Sequence, residues 1–378
     1  MKIAYIYTSF TLAGGADRVV IDKANYFAEH GYDITIVTDS QQHEPTFFPL
    51  SPQVKHLDLS INFDQEYKYN PIIRIFIYFR LMKKYKNALY NFLQLEKPDI
   101  VITTFGRSMD FLVNIKDGSA KICESHIAKP YIRNLHSLGN KGPLYWLIAK
   151  MWMHKITKNC KKLNKLVLLT EDDAKNWEGF ANTCVIPNPI PFNSGKRSSC
   201  KNKSAIFVAR MCEQKGYDYL LQAWEIVNAK HPDWILNIYG DGEEKENIIK
   251  QLQRINNNGS IIINNPTREI EDKYVESSIC ILSSRFEGFG MVLLEAMACG
   301  VPCVAFDCPY GPSQIIRDGE DGLLVEYLNT KALADSICKL IENESLRIHM
   351  GNNAQKNIQR FNKDDIMRKW CDLFDQII

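Results

Sequence analysis

The chain has 378 residues, of which 45% are hydrophobic and 24% are charged. This length and composition are typical of a soluble globular protein with one or two large domains, and they exclude disordered, fibrous and small single-module proteins. Residues 1–190 hold 24 Lys and Arg against 18 Asp and Glu, whereas residues 191–378 hold 22 against 26. The surplus of cations predicts that the first half faces an anionic partner.

The sequence also indicates a cytoplasmic protein. Residues 1–13 lack the basic start and the uninterrupted apolar run of a signal peptide. No apolar run approaches the roughly 18–20 residues of a membrane-spanning helix. The eleven cysteines lack the spacing of a zinc site, so we expect reduced thiols. Membrane contact is expected to be at most peripheral, on the inner face of the cytoplasmic membrane.

Short apolar runs that alternate with helical patterns predict the same architecture in both halves of the chain. In the first half, a helix at 16–30 follows Gly14 and Gly15. The predicted strands of that half are residues 2–8, 34–38, 100–104, 120–123 and 166–169. Those of the second half are residues 204–208, 235–239, 261–263, 279–283, 301–306 and 323–325. The alternation predicts an α/β fold of two Rossmann-like domains, each with a parallel sheet and crossover helices.

A polar stretch separates the two halves. Residues 193–203 are rich in Ser, Lys, Asn and Gly and follow the proline-containing run VIPNPIPF. We therefore predict a first domain at 1–190, a linker at 191–203 and a second domain at 204–360. Residues 361–378 have an amphipathic helical pattern, and we expect this helix to pack back on the first domain.

Two cations follow the first predicted strand of the second domain. Arg210 and Lys215 lie in the pattern R-x4-K-G, which ends at Gly216. Ligands of open parallel sheets bind beyond the carboxyl ends of the strands, so both cations are placed to hold an anion. Arginine grips phosphate oxygens bidentately, and lysine supplies a point charge. The alternative is a pair of ordinary surface cations beside a turn.

A second cluster follows the strand that ends near Ser283. A glycine-containing loop leads into a predicted helix from Met291 to Gly300, and the first amides of such a helix suit a phosphate group. Glu287 and Glu295 bracket the helix start, and two carboxylates there would repel phosphate unless they contact hydroxyl groups. The arrangement therefore suits a nucleotide sugar, whose phosphates lie between two groups rich in hydroxyls.

Four features together resemble glycosyltransferase family four. They are the E-x7-E spacing of Glu287 and Glu295, the R-x4-K-G pattern, the early Gly14-Gly15 pair and the run from Gly311 to Val325. That family uses the GT-B fold, in which two Rossmann-like domains face each other across a cleft. The resemblance implies a retaining, nucleotide-sugar-dependent glycosyltransferase of the bacterial polysaccharide type.

The resemblance also implies a role for each matched residue of the second domain. Arg210 and Lys215 would hold the donor diphosphate. Glu295 would bind the ribose hydroxyls, and Glu287 would bind hydroxyls of the transferred sugar. Asn265, which follows a predicted strand, would contact the nucleobase. The backbone amides that would support sugar and phosphate belong to Gly288, Phe289, Gly290, Met291 and Val292.

Two segments of the first domain complete the implied site. The loop at Gly14 and Gly15 would approach the donor and help to shape the acceptor site. His126 resembles the family's histidine that reaches the donor sugar, and it joins Glu287 and the two cations of the second domain as an implied catalytic residue. The alternatives are that His126 is only a structural or exposed histidine, or that Glu124 takes this place.

The chain contains no D-x-D sequence, the pattern that would hold a metal-bound diphosphate. Arg210, Lys215 and the helix start could instead stabilise the departing nucleoside diphosphate electrostatically. We therefore expect no metal and no cofactor, with a UDP-sugar as the donor substrate.

Two basic stretches of the first half contain aromatic and aliphatic residues but no acidic residue. Residues 67–95 hold six cations and residues 125–170 hold nine. Such helices can rest on an anionic membrane surface, which fits a lipid-linked acceptor. The alternative is a pair of packed helices whose cations are only solvated. The near-neutral total charge and the lack of a recognisable RNA or DNA module argue against nucleic-acid binding.

These observations predict a glycosyltransferase that moves a hexose or N-acetylhexosamine from a UDP-sugar to a glycan or glycolipid acceptor in cell-surface polysaccharide biosynthesis. Two alternatives remain open from the residues. One is a nucleotide-sugar epimerase or a phosphorylase on the same fold. The other is a catalytically silent scaffold that binds a nucleotide sugar.

Overall fold

The computed structural model describes residues 1–192, 195–255 and 259–378. Residues 193 and 194 of the predicted linker lie outside the described residues. The chain forms two compact units. The first consists of Met1–Ile186 together with Met367–Ile378, and the second consists of Pro187–Ile366.

The first unit is built on a parallel sheet of seven strands in the order β3-β2-β1-β4-β5-β6-β7. The strands are β1 Lys2–Tyr7, β2 Asp33–Thr38, β3 Lys55–Asp58, β4 Ile100–Thr103, β5 Ala120–Glu124, β6 Lys165–Leu168 and β7 Thr183–Val185. The sequence analysis did not predict the edge strands β3 and β7. β3 has the sequence KHLD with mostly exposed side chains, so it lacks the apolar run that marks a buried strand.

The helices of this unit before residue 186 lie between its strands. They are α1 Gly15–Glu29, α2 Pro71–Glu96, α3 Leu135–Gly139, α4 Pro143–Cys160 and α5 Glu171–Asn176. α2 begins where the side chain of Asn70 accepts a hydrogen bond from the Ile73 amide, with Pro71 at the first helical position. No described helix is both long enough and apolar enough to span a bilayer.

α2 and α4 cover the same face of the first sheet. Ala4 and Val101 pack in one apolar cluster with α2, and Cys123 packs in another with α4. Ala4 is paired with Val101 in the sheet, and Thr103 is paired with Cys123. Val101 and Thr103 point to one face because side chains alternate along a strand, and the paired Cys123 points there too.

The second unit has a parallel sheet of six strands in the order β10-β9-β8-β11-β12-β13. The strands are β8 Ser204–Val208, β9 Ile235–Tyr239, β10 Ile261–Asn264, β11 Ile279–Leu282, β12 Cys303–Phe306 and β13 Gly322–Val325. Its helices are α6 Tyr217–Lys230, α7 Lys245–Leu252, α8 Ile270–Val275, α9 Met291–Ala298, α10 Pro312–Ile315, α11 Thr330–Glu342 and α12 Glu344–Asn357. The prediction of two Rossmann-like parallel sheets is confirmed.

Both sheets reverse their strand order once. In the first sheet the reversal lies between β1 and β4, and in the second it lies between β8 and β11. The chain leaves the two strands at such a point in opposite directions, so a crevice opens at their carboxyl ends. This edge is where the sequence analysis placed the candidate residues.

The boundary between the units differs from the predicted linker at 191–203. The second unit begins at Pro187. Cys200 is buried, and the hydroxyl of Ser198 donates to the carbonyl oxygen of Ser277 over 2.5 Å. Ser198 and Cys200 of the predicted linker are therefore packed into the second unit, whereas the other described residues from 195 to 203 are exposed.

The last helix, α13 Lys363–Ile377, lies mostly in the first unit, to which residues from Met367 onward belong. Its Trp370 and Phe374 are buried, and the Phe374 ring lies 5.2 Å from the ring of Phe27 in α1. The aromatic residues on one side of this helix thus complete the core beside α1.

Candidate active site

An ion pair lies at the strand-order reversal of the second sheet. Lys215 follows β8 and Glu287 follows β11, and the Lys215 Nζ lies 2.7 Å from Glu287 Oε1. The hydroxyl of Ser284 donates to the same carboxylate oxygen over 2.6 Å. The Glu287 side chain is 7% exposed and that of Lys215 is 19% exposed. Two residues 72 positions apart in sequence are therefore held together at the predicted anion site.

Backbone contacts bring these two loops close together. The hydroxyl of Ser283 donates to the carbonyl oxygens of Lys215 and Gly216, over 3.1 and 3.0 Å. Gly216 has a positive φ of 61°, and a β-carbon there would overlap the carbonyl oxygen of Ser283. Only glycine fits both constraints, so the glycine of the R-x4-K-G pattern lets the two strand ends approach.

Arg285 forms further hydrogen bonds that hold the loop carrying Glu287. Its guanidinium group donates to both carboxylate oxygens of Asp218, over 3.0 and 2.8 Å, and to the carbonyl oxygen of Glu213 over 2.7 Å. The sequence analysis assigned no role to Arg285, because its partners are 67 and 72 positions away in the chain. The bidentate pair fixes the loop that carries Glu287 to the start of α6.

Arg210 lies exposed directly after β8, at the same sheet edge as Lys215. Its backbone carbonyl accepts a hydrogen bond from the Cys212 amide over 2.9 Å, which closes a tight turn after the strand. The structure therefore places both predicted cations beyond the carboxyl end of one strand, as the sequence pattern indicated.

The predicted helix start is present at α9. Gly290 precedes the helix with a φ of 99°, and it offers no side-chain oxygen to cap the first amides. Gly311 has a φ of 106°, and a β-carbon there would overlap the carbonyl oxygen of Phe289. Gly311 thus packs closely against the loop that contains Gly288. The backbone amides of Met291 and Val292 then form the start of α9.

Glu295 lies in the second turn of α9 and is buried. The hydroxyl of Tyr274, in α8, donates to Glu295 Oε2 over 2.8 Å. Burial and the neighbouring carboxylate raise the pKa of Tyr274 well above its usual value, so the phenol keeps its proton and donates it. Tyr274 was not predicted from the sequence, because it lies 21 positions before its partner.

Asn265 lies exposed after β10, at the outer edge of the second sheet. Its side-chain oxygen accepts a hydrogen bond from the Lys245 ammonium over 3.1 Å. Lys245 also lies 3.4 Å from a carboxylate oxygen of Asp241, which follows β9. Asn265 therefore shares the carboxyl edge of the sheet with Lys215, but one strand, β9, lies between β10 and β8.

His126 follows β5 in the first unit. Its Nε2 lies 3.6 Å from Glu124 Oε1, and its side chain is 11% exposed. Neither ring nitrogen has a hydrogen-bond partner within the described part of the chain. Burial lowers the pKa of His126 below its usual value, so the ring is neutral at pH 7. A neutral imidazole can donate from one nitrogen and accept at the other.

The carboxylate beside His126 is paired with a buried lysine. Lys23 of α1 donates to Glu124 Oε1, and both side chains are 1% exposed. Burial lowers the pKa of Lys23. Burial opposes ionisation of Glu124 as well, but the charge and the hydrogen bond of Lys23, together with a contribution from His126, outweigh it and hold the pKa of Glu124 below its usual value. The Lys23 Nζ also lies 4.3 Å from the ring centre of Trp370, a cation–π contact.

Lys23 and Trp370 were not predicted as part of the site from the sequence. A signal was present, because Lys23 falls on the same helical face as the apolar residues Val20, Ala24 and Phe27, all of which are buried. A lysine among such positions needs a buried partner. The partner, Glu124, was named only as an alternative to His126.

Gly14 and Gly15 lie after β1, at the strand-order reversal of the first sheet. Gly14 precedes α1 and Gly15 is its first residue. The side chain of Asp17, one turn further on, accepts a hydrogen bond from the Tyr7 hydroxyl over 2.7 Å. The structure thus brings the glycine pair and His126 to the carboxyl edge of one sheet, and the remaining candidates to that of the other.

The chain is similar to known proteins over its whole length. Residues 193–357 match the family model described as glycosyl transferases group 1. An uncharacterized glycosyltransferase of Haemophilus influenzae is 30% identical over an alignment of 384 positions that covers 98% of each chain. The amylovoran biosynthesis glycosyltransferase AmsD of Erwinia amylovora is 27% identical over an alignment of 390 positions that covers 99% of each chain.

A solved structure shares the fold. The crystal structure of an S. aureus TarM mutant in complex with fondaparinux, alpha-GlcNAc-glycerol and UDP matches with a TM-score of 0.79. The two sequences are 18% identical, and the match covers 99% of each chain.

Replacement of Gly216 tests the close approach of the two loops. We expect Gly216→Ala to lower the free energy of unfolding by clearly more than the roughly 1 kcal/mol that a positive φ costs an alanine. The matched control is Gly319→Ala, since Gly319 has a φ of 74° but open space around it. Urea unfolding measures both, and equal losses would contradict the role given to the contact with Ser283.

Replacement of Lys23 tests the buried pair. Lys23→Met should lower the free energy of unfolding by about 3–5 kcal/mol, because Glu124 would remain buried and unpaired. The double variant Lys23→Met/Glu124→Gln should recover part of this loss. As a control, Lys55→Met removes the exposed pair with Asp33 and should leave the unfolding midpoint nearly unchanged. A small loss in Lys23→Met would show that Glu124 reaches solvent.

Proposed function

Because the chain belongs to the glycosyl transferases group 1 family and is a glycosyltransferase of the GT-B fold, we propose that it moves a hexose or N-acetylhexosamine from a UDP-sugar to a lipid-linked glycan. The reaction retains the anomeric configuration and serves the synthesis of cell-surface polysaccharide. The observation that carries the proposal is the Lys215–Glu287 pair beside the start of α9.

The hydrogen bonds of Lys215 and Glu287 indicate which of their atoms would contact the nucleotide sugar. A lysine ammonium has three protons, and one of those on Lys215 goes to Glu287. Two remain for phosphate oxygens. Glu287 Oε1 takes both hydrogen bonds that the described residues make to this carboxylate, from Lys215 and Ser284. Oε2 is the oxygen that would accept a hydrogen bond from a hydroxyl of the transferred sugar.

The departing UDP is stabilised by fixed charges in this proposal. Lys215, the exposed Arg210 and the first amides of α9 would surround the diphosphate as its negative charge develops. No divalent cation is needed for this step. Glu295, held by Tyr274, would accept hydrogen bonds from the ribose hydroxyls, and Asn265 would contact the nucleobase.

The first unit would supply the sugar and acceptor contacts. The neutral His126 offers one donor and one acceptor, and we assign it to a hydroxyl of the donor sugar. The Lys23–Glu124 pair keeps a full negative charge on the neighbouring carboxylate without protonating the ring. The loop at Gly14 and Gly15 would help to shape the acceptor site.

One relative and one structural neighbour support a nucleotide-sugar donor and a glycan acceptor. AmsD is named for amylovoran biosynthesis, and the TarM mutant was crystallised with UDP and alpha-GlcNAc-glycerol. We place the present enzyme on the inner face of the cytoplasmic membrane, where UDP-sugars and lipid carriers meet.

The nucleotide and metal assignments can be tested together by thermal unfolding. A nucleotide at about 100 times its Kd stabilises a protein by about 2.7 kcal/mol. We expect UDP to raise the unfolding temperature equally in EDTA and in Mg²⁺, with no comparable rise from GDP or ADP. Stabilisation by GDP or ADP alone would replace the donor class, and a rise that requires Mg²⁺ would overturn the metal-free step.

Replacement of the ion pair tests the catalytic roles. Lys215→Met removes a charge that stabilises the leaving group and should lower kcat by about 10²–10³-fold. Glu287→Gln should lower sugar transfer while UDP still raises the unfolding temperature. Lys230→Met, which removes an exposed lysine paired with Asp335 in the same unit, is the matched control. Turnover near the control level in both variants would refute the assignment.

A further inference from the structure

We propose that the first unit binds an anionic lipid bilayer through a surface formed by the first halves of α2 and α4. We call it the docking face. Its apolar side chains are those of Ile73, Phe76, Phe79, Leu144, Leu147 and Met151, all exposed. The inference deepens the proposed function by naming the surface that would bring the enzyme to a lipid-linked acceptor.

The apolar residues of the docking face are set apart from those of the core. In α2, Leu81, Tyr85 and Leu89 are buried against the sheet. Phe76 and Phe79, on the same helix, are 72% and 66% exposed. Single exposed apolar residues are ordinary, but large ones on successive turns of two helices mark an interaction surface.

Both helices carry these exposed residues toward the same edge of the first sheet. α2 and α4 cover the same face of the first sheet, because the residues of β4 and β5 that pack against these helices point to one side. Each helix leads from the carboxyl end of one parallel strand back to the amino end of the next. The first half of each helix therefore lies toward the carboxyl edge of the sheet, and the exposed apolar residues of both helices gather there.

Cations continue the apolar surface along each helix. Arg80 and Lys83 are exposed four residues after Phe76 and Phe79, which places them on the same side of α2. In α4, the Lys150 Nζ lies 4.9 Å from the ring centre of Trp146. No acidic residue occurs from 67 to 95 or from 125 to 170. The docking face is thus apolar toward the start of each helix and cationic further along, and the stretches 67–95 and 125–170 contribute no acidic residue to it.

This combination fits a bilayer better than another protein. The cores of protein–protein interfaces are depleted in lysine. Trp, Tyr and Lys are typical of membrane interfaces, where the apolar part of the side chain enters the lipid and the polar end stays in water. Anionic headgroups would attract each cation that lies near the membrane surface.

The same sheet edge carries His126 and the Gly14-Gly15 loop. A protein bound through the docking face would therefore present its candidate acceptor elements close to the membrane surface. A lipid-linked sugar could reach them while its lipid chain stayed in the bilayer. The proposal of a lipid-linked acceptor therefore rests on the position of the docking face, and not on any contact with an acceptor sugar.

Vesicle flotation of the whole protein tests the inference without any turnover. Wild-type protein should float with phosphatidylglycerol-containing vesicles but not with pure phosphatidylcholine, and added salt should weaken the binding. Phe76→Gln/Phe79→Gln and Arg80→Gln/Lys83→Gln should each bind at least tenfold more weakly. Leu95→Gln is the matched control, because Leu95 is 80% exposed at the far end of the same helix.

The outcomes separate this inference from the proposed function. UDP should stabilise the Phe76→Gln/Phe79→Gln variant as it does the wild type, since neither residue belongs to the donor site. Failure of the wild type to float, or equal flotation of the phenylalanine variant, would overturn the docking face and leave the donor assignment intact. Self-association of the wild type that this variant abolishes, without vesicle binding, would assign the surface to a second copy of the chain instead.

Discussion

The candidate chemistry of this chain depends on the handedness of its crossovers. Parallel strands are joined by right-handed connections, so strands added to the left and to the right of the first one carry their helices on opposite faces. Where the direction changes, the sheet edge between two strands stays uncovered. β8 and β11 meet at such an edge, and their loops carry Lys215 and Glu287. The contact of Ser283 with Gly216 then narrows the gap until the two side chains touch.

The first unit places a different electrostatic feature at its own edge. Lys23 and Glu124 are almost fully buried, and such a pair is an expensive way to stabilise a fold. Apolar residues of similar size would stabilise the core more than this ion pair does. The pair does keep a fixed charge 3.6 Å from a histidine whose ring nitrogens have no hydrogen-bond partner among the described residues. Its place beside β5 is therefore easier to understand as support for His126 than as support for the core.

The sequence predicted the parts of the molecule that rest on local pattern. Apolar runs located the buried strands, and the glycines near Lys215 and α9 marked turns that only glycine can make. Contacts between distant residues were beyond local pattern, and the pairing of Tyr274 with Glu295 and of Lys23 with Glu124 belong to that class. β3 was missed because an edge strand with exposed side chains has no apolar run. The unit boundary at Pro187 does not coincide with the predicted linker, because polar composition does not reveal that Ser198 and Cys200 are packed.

The return of α13 has a consequence for synthesis of the protein. Residues 1–186 leave the ribosome long before residues 367–378, which complete the same unit. Until then Lys23 lacks Trp370, and Phe27 lacks Phe374. Translation of the first unit begins earlier, but all residues of the second unit have been translated before the last helix of the first unit. Folding order in the cell is thus expected to run against chain order, with the first unit waiting as an incomplete intermediate for its last helix.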